Sequence, residues 1–195
     1  MIQKLVFIRH GQSRANAEHL LSGHMDTPLT EEGRKELEKL RRTVSYPETD
    51  LYFCSPLSRA RDTFSILLSP HIPVVSDEYI EINFASLEGS FVESPEASRR
   101  YFRDWVHDRR LADEETYSEV ASRSVKAMNH TLDILKDKGL SSATIVSHSG
   151  FLRVYIIETF SLERESFLEI EAPNGLGYIF TYEDGKPVSY SPIVS

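Results

Sequence analysis

Two histidines and two arginines, far apart in the chain, stand in matching local contexts. Arg9-His10-Gly11 follows the short apolar run Leu5 to Ile8. Ser55-Pro56-Leu57-Ser58-Arg59 follows Leu51 to Cys54, and Ser147-His148-Ser149-Gly150 follows Ala143 to Val146. Short apolar runs of this kind read as buried strands, and ligands of open α/β sheets bind beyond the carboxyl ends of strands. The pattern therefore predicts that these residues collect at one rim as a cationic anion site. Such a set suits a phosphate monoester, whose cleavage is mainly a matter of positioning and charge stabilisation. Arginine offers paired donors and stays charged, while one neutral imidazole can attack phosphorus and another can donate to its oxygens. The glycines after His10 and Ser149 are expected to let the backbone approach the ligand closely.

The elements that would position these residues follow from pattern. Lys4 to Ile8, Leu51 to Cys54 and Ala143 to Val146 read as buried strands, with short strand-like pieces at Val74-Val75 and Tyr79 to Ile82. Thr30, followed by Glu31 and Glu32, predicts a helix start, and Leu37, Leu40 and Val44 carry its apolar face. Ala60, Phe64, Leu67 and Leu68 mark a second helix, and Phe151 to Phe160 another. Thr116 with Glu119 forms a capping box opening a long helix that Gly139 stops. The tail reads as antiparallel, from Phe167 to Ile170, Leu176 to Tyr182 and, after an Asp184-Gly185 turn, Val188 to Tyr190. Strands alternating with helices predict a three-layer α/β/α fold. Its sheet is mostly parallel, the tail adds antiparallel edge strands, and residues 86–115 form a small helical cap segment.

Bulk properties narrow the function classes. The 195 residues suit one domain spanning 1–195. A net charge of −8 argues against non-specific binding to nucleic acid or anionic membranes. No segment approaches the roughly 20 apolar residues of a membrane span, and Arg9 and His10 cut off the N-terminal apolar stretch too early for a signal peptide. A cytoplasmic location is the default expectation. The single cysteine, Cys54, sits in an apolar run and reads as a buried thiol.

The blocks together resemble the histidine phosphatase superfamily, the phosphoglycerate-mutase-like group, along nearly the whole chain. Arg9-His10-Gly11-Gln12-Ser13 with Asn16 matches its first signature. Gly23, Asp26, Pro28-Leu29-Thr30 and Gly33 match the next block, Ser55-Pro56-Leu57, Arg59-Ala60 and Thr63 the third, and Ser147-His148-Ser149-Gly150 the last. The resemblance implies that His10 is the nucleophile and phosphohistidine carrier. It implies that Arg9, Arg59 and His148 hold the phosphoryl oxygens with Asn16 and Gly23 assisting, and that Ser149 adds a backbone donor. The family's general acid opens a Glu-x-x-x-Gly-like stretch, which Glu81 in Glu81-Ile82-Asn83-Phe84-Ala85 fits best, although Ala85 stands at the usual glycine. Glu88, followed by Gly89, is the other family-like carboxylate nearby. Ser149 replaces a common glycine.

The implied activity is metal-independent, cofactor-free phosphomonoester hydrolysis on a small phosphorylated metabolite. A mutase would use the same chemistry, but the family's mutases are typically longer and carry a Glu-Arg-x-Tyr-Gly stretch. A non-catalytic phosphate-binding module is the remaining alternative, disfavoured because both histidines and both arginines are present. His19, His24, His71, His107 and His130 read as structural or surface residues, and no Cys or His pair has zinc-ligand spacing. The segment containing Phe91, Arg99, Arg100, Tyr101, Phe102, Arg103 and Trp105 reads either as a cap over the site or as an amphipathic helix with its aromatics packed inward. The antiparallel tail offers an edge for a homodimer.

Overall fold

The computed structural model describes residues 2–92 and 94–194. A six-stranded sheet forms the middle layer, built from β1 (Ile2–Arg9), β2 (Leu51–Cys54), β3 (Val74–Val75), β4 (Ser142–Ser147), β5 (Gly177–Glu183) and β6 (Lys186–Pro192). Their order is β3-β2-β4-β1-β5-β6. The first four strands pair in parallel, while β5 and β6 add an antiparallel edge.

Side chains alternate across a strand, so each strand feeds two cores. Leu5 and Phe7 of β1 pack with α5 (Tyr117–Lys138) and α6 (Ser149–Phe160). Val6 and Ile8 pack on the other face with α2 (Glu31–Thr43) and α3 (Ser58–Leu68). Each fully buried leucine, isoleucine or phenylalanine contributes about 1.5–3 kcal/mol over its exposed state. Helix α6 buries Phe151, Leu152, Val154, Tyr155, Ile156 and Ile157, an all-round apolar surface that accounts for its central position.

Helix ends are set locally. Thr30 accepts from the Gly33 N–H at 2.9 Å to start α2, where Glu31 and Glu32 lie in the first turn and Arg41 and Arg42 in the last. Thr116 and Glu119 form the capping box of α5, and Gly139 ends it with φ +65°.

Three expectations are corrected. Tyr79 to Ile82 is not a strand. Residues Asp77–Tyr79 form a single 3₁₀ turn capped by Ser76, and Tyr79 and Ile82 are apolar because each side chain enters the core separately. Phe167 to Ile170 is not a strand either. A 3₁₀ segment at Arg164–Leu168 presents Phe167 to the rings of Phe102 and Trp105, 5.1 and 5.4 Å away. The glycines after the two histidines make room for protein rather than for a ligand. A Cβ on Gly11 would lie 2.6 Å from Leu37, and one on Gly150 would lie 2.5 Å from Ile82 and 2.6 Å from Glu81 Oε1.

The stretch 86–115 contains α4 (Pro95–Trp105), started by Ser94, which accepts from the Ala97 N–H. Trp105 is buried and donates to Glu115 O at 2.7 Å, whereas Phe102 packs on the core and also lines a cavity. Among the described residues no helix is long and apolar enough to cross a membrane.

Candidate active site

Strand register builds the site. Arg9 of β1 lies opposite Ser147 of β4, so the next residue of each strand, His10 and His148, emerges beside the other. Cys54 of β2 lies opposite Val146, which brings Ser55 to the same rim. The backbone continues this pairing past the strands, with His10 N–H donating to Ser147 O and Ser55 N–H to Val146 O. The two imidazole centroids are 5.1 Å apart, within joint reach of one phosphoryl group.

Both rings are buried, His10 at 4% exposure and His148 at 0%. His10 Nδ1 is 2.6 Å from Gly11 O. A carbonyl only accepts, so Nδ1 carries the hydrogen and Nε2 keeps a lone pair. His148 Nε2 is 2.7 Å from Ser55 Oγ. Burial foremost, then Arg59, pushes both imidazoles well below their ordinary value, with Arg9 adding to the effect on each.

That depression has a consequence for stability. Unfolding frees both rings to ionise near pH 6.5, so below that value the unfolded chain binds more protons than the folded one. Stability present above about pH 6.5 is lost as pH falls towards the folded-state values, by up to about 1.4 kcal/mol per pH unit for each ring. Urea unfolding between pH 7.5 and 5.5 should show this slope, and His148→Asn should reduce it. An unchanged slope in the variant would contradict the assignment of buried neutral rings.

The arginines surround the histidines. Arg59, 1% exposed, donates through Nη2 to Gly23 O at 2.7 Å and through Nη1 to Met25 O at 2.9 Å. Those two bonds use two of its five N–H donors. Asp26 accepts from the Ser58 N–H and hydroxyl at the start of α3, holding that helix against the same loop. Thr63 accepts from Gly11 N–H and donates to Arg59 O, tying α3 to the end of β1. Arg9 Nη1 donates to Ala172 O, and burial foremost, then Arg153, lowers its pKa to about 10, so it remains cationic at neutral pH.

The two candidate carboxylates are used differently. Glu88 accepts from the N–H groups of Gly23, His24, Met25 and Phe84, which clamps the loop that presents carbonyls to Arg59. Glu81, 6% exposed, lies at the start of α6. It accepts from Gly150 N–H through Oε2 and from Ile82 and Phe151 N–H through Oε1. Three of about four acceptor sites on that carboxylate are thereby taken. Ala85 sits at φ +47°, the left-handed region where glycine is easiest, which gives the physical reason for a glycine preference there.

A cavity of about 630 Å³ opens over this rim. Of the residues singled out from sequence, Arg9, Asn16, Glu81 and Ser149 line it. His10, His148 and Arg59 are buried and are not part of that lining, although His10 and His148 are the sequence neighbours of Arg9 and Ser149, which are. Asn16 sits on the short helix α1 (Arg14–Ala17), where its Oδ1 accepts from Ser13 N–H. Gly23 is outside the lining, with its N–H held by Glu88 and its carbonyl by Arg59. Sequence reasoning missed two neighbours. Asn174 donates to His10 O at 2.8 Å and had no local signal. Arg153 lines the cavity and is the one cation within apolar α6, a signal that was present.

Among the described residues, three buried side-chain nitrogen or oxygen atoms have no hydrogen-bond partner: Arg9 Nε, His148 Nδ1 and Thr27 Oγ1. Two of these three belong to the strand-end cluster. An orphaned buried donor costs about 1–3 kcal/mol, so two at the ends of paired strands suit an anion that satisfies both.

Known proteins resemble this chain throughout. It is 28% identical over 178 residues to a 2,3-bisphosphoglycerate-dependent phosphoglycerate mutase 2 of Gloeobacter violaceus, covering 86% of this chain and 80% of that protein. It is 28% identical over 196 residues to an adenosylcobalamin/alpha-ribazole phosphatase of Salmonella typhimurium, covering 88% and 87%. Its fold matches the solved structure of Bacillus stearothermophilus YhfR with a TM-score of 0.82 at 22% identity, covering 99% and 98%. The family model described as the histidine phosphatase superfamily (branch 1) matches residues 5–191, and the chain belongs to that family.

Proposed function

We propose that this chain hydrolyses phosphate monoesters of small metabolites through a phosphohistidine on His10. The observation that carries the reading is the pair of unpartnered buried donors, Arg9 Nε and His148 Nδ1, beside an imidazole whose Nε2 keeps its lone pair. In the first step His10 Nε2 forms a bond to phosphorus as the bond to the leaving oxygen breaks. Arg9, Arg59 and His148 Nδ1–H hold the equatorial oxygens, with Ser55 donating to His148 Nε2 to fix that tautomer. The Ser149 N–H and the Asn16 amide add donors at the edge. Glu81 gives its proton to the departing alkoxide from the acceptor site its backbone partners leave unused. Water then attacks phosphorus, Glu81 takes the water proton, and inorganic phosphate leaves a neutral His10. The arginines and imidazoles supply the charge stabilisation that a metal ion would otherwise provide.

The chain acts as one unit over 1–195, with residues 86–115 serving as a cap. Phe91, Ser94, Pro95 and Phe102 from that segment wall the cavity on the leaving-group side, which supports this division. Gly23 serves as scaffold for Arg59 rather than as a phosphate ligand. With no membrane-spanning helix among the described residues, the reading extends to a cytoplasmic enzyme.

A panel of phosphate monoesters assayed without added metal tests the proposal. Release of inorganic phosphate supports it, and isomerised phosphoglycerate without phosphate release would favour the mutase. The acid is tested by leaving group. Glu81→Gln should lower kcat roughly 10²–10⁴-fold on an alkyl phosphate and far less on 4-nitrophenyl phosphate, whose phenolate leaves unassisted. Equal losses on both would remove Glu81 from the acid role.

A further inference from the structure

We propose that Arg123, locked by Glu115, is a positioning residue for the acid step: its guanidinium holds the backbone of Ile80 and Glu81 and so aims the Glu81 carboxyl at the leaving oxygen. This rests on the reading of Glu81 as the general acid, and adds the residues that keep that acid in place without touching substrate.

Glu81 stands on a stretch without regular structure. Residues 80–84 belong to neither a helix nor a strand, so no ladder of backbone bonds fixes them. Their polar groups are met from outside instead. Arg123 donates through Nη1 to Ile80 O at 2.8 Å and through Nη2 to Glu81 O at 2.8 Å. The same guanidinium grips Glu115, with Nε 2.6 Å from Oε1 and Nη2 3.0 Å from Oε2. Four of its five N–H donors are thereby engaged. Glu115 Oε2 also accepts from Asn83 N–H at 3.1 Å, and Glu115 N–H donates to Asn83 O at 2.8 Å. The pair thus brackets Glu81, holding the residue before it and the residue two after it. His24 Nε2 adds a second donor to Glu81 O, at 3.0 Å.

Arg123 also reaches the other side of the carboxylate. It sits on α5, with its guanidinium carbon 5.8 Å from the centre of the Phe151 ring in the first turn of α6. The Phe151 N–H is one of the donors that hold Glu81 Oε1. One side chain therefore packs on both the segment that carries the acid and the turn that grips its carboxylate. Neither Arg123 nor Glu115 is among the residues that line the cavity, so their effect on the reaction passes through Glu81. The charge of Arg123 is balanced by Glu115 beside it, and what the pair supplies is geometry. A lysine at the same place keeps the charge but lacks the fork that reaches two carbonyls and a carboxylate together. Displacing a catalytic group by about 1 Å costs up to roughly 10²-fold in rate.

The test compares Arg123→Lys with wild type on an alkyl ester, 2-phenylethyl phosphate, and on 4-nitrophenyl phosphate. It reads kcat/KM, which reports the steps up to phosphohistidine formation and is blind to the later attack by water. Arg123→Lys should lower kcat/KM on the alkyl ester roughly 10–10²-fold. On 4-nitrophenyl phosphate the loss should stay below about threefold, because that phenolate leaves unassisted. In a Glu81→Gln background the same substitution should add less than about threefold on either ester, since the acid it positions is gone. Glu115→Gln keeps the shape of its side chain and should give a weaker loss, about three- to tenfold, on the alkyl ester alone. That variant decides the matter if thermal unfolding shows that Arg123→Lys does not fold. Equal losses on both esters in a folded variant, no loss on the alkyl ester, or a full loss that persists without Glu81 overturns the proposal. If Glu81→Gln itself loses equally on both esters, the acid reading fails and takes the proposal with it; if only the Arg123 and Glu115 variants do, the proposal fails alone.

Discussion

His10→Ala is expected to lower kcat on 4-nitrophenyl phosphate by a factor on the order of 10⁴–10⁶, the scale seen when a covalent nucleophile is removed. The loss should fall on kcat far more than on KM, because the arginines and His148 remain to bind the phosphoryl group. Folding should survive. His10 holds the rim through its backbone, donating to Ser147 O and accepting from Asn174, and neither bond needs the imidazole. Steady-state kinetics with thermal unfolding as a control separates the two effects. Activity within tenfold of wild type in a folded variant would remove His10 from the chemistry.

The second large effect is expected at Arg9. Arg9→Ala should lower kcat and kcat/KM together by roughly 10²–10³, or about 3–4 kcal/mol, as when one preorganised transition-state donor is lost. Arg9→Lys should recover little, since an ammonium cannot supply the two-pronged geometry of a guanidinium. The cost to the fold is smaller. Removing the side chain deprives Ala172 O of its donor but also removes a buried cation that burial and Arg153 already oppose. A variant that lost KM alone would place Arg9 in ground-state binding rather than at the reacting phosphorus.

Local signals carried much of the architecture. Caps such as Thr30 and Thr116, the stop at Gly139 and the apolar runs ending at Arg9, Ser55 and His148 each act through neighbouring residues, so they read directly. The strand-end histidines could be brought together in thought because parallel strands in one sheet must end on the same side. The errors came where tertiary packing sets the chemistry of a residue. Tyr79 and Phe167 looked like strand residues but are single plugs in the core, and Gly11 and Gly150 yield space to Leu37, Ile82 and Glu81. The separate duties of Glu81 and Glu88 were equally hidden. They depend on which distant N–H groups each carboxylate meets, the start of α6 for one and residues 23–25 for the other.

Arg153 differs from those cases. A single arginine in a helix of phenylalanine, leucine, valine, tyrosine and isoleucine is costly to bury without a partner, and that anomaly is visible before any coordinates. Asn174 has no such mark. Its contact with His10 O exists only because the chain returns beside β1 immediately before β5.

Rapid-quench labelling bears most directly on the covalent step. The protein is mixed with ³²P-labelled substrate, stopped in alkali within the first turnover and digested. The account predicts label on the peptide containing His10, stable to base and released by acid, with none on His10→Ala. Label that resists acid, label on another residue, or full turnover with no trapped phosphate would contradict it.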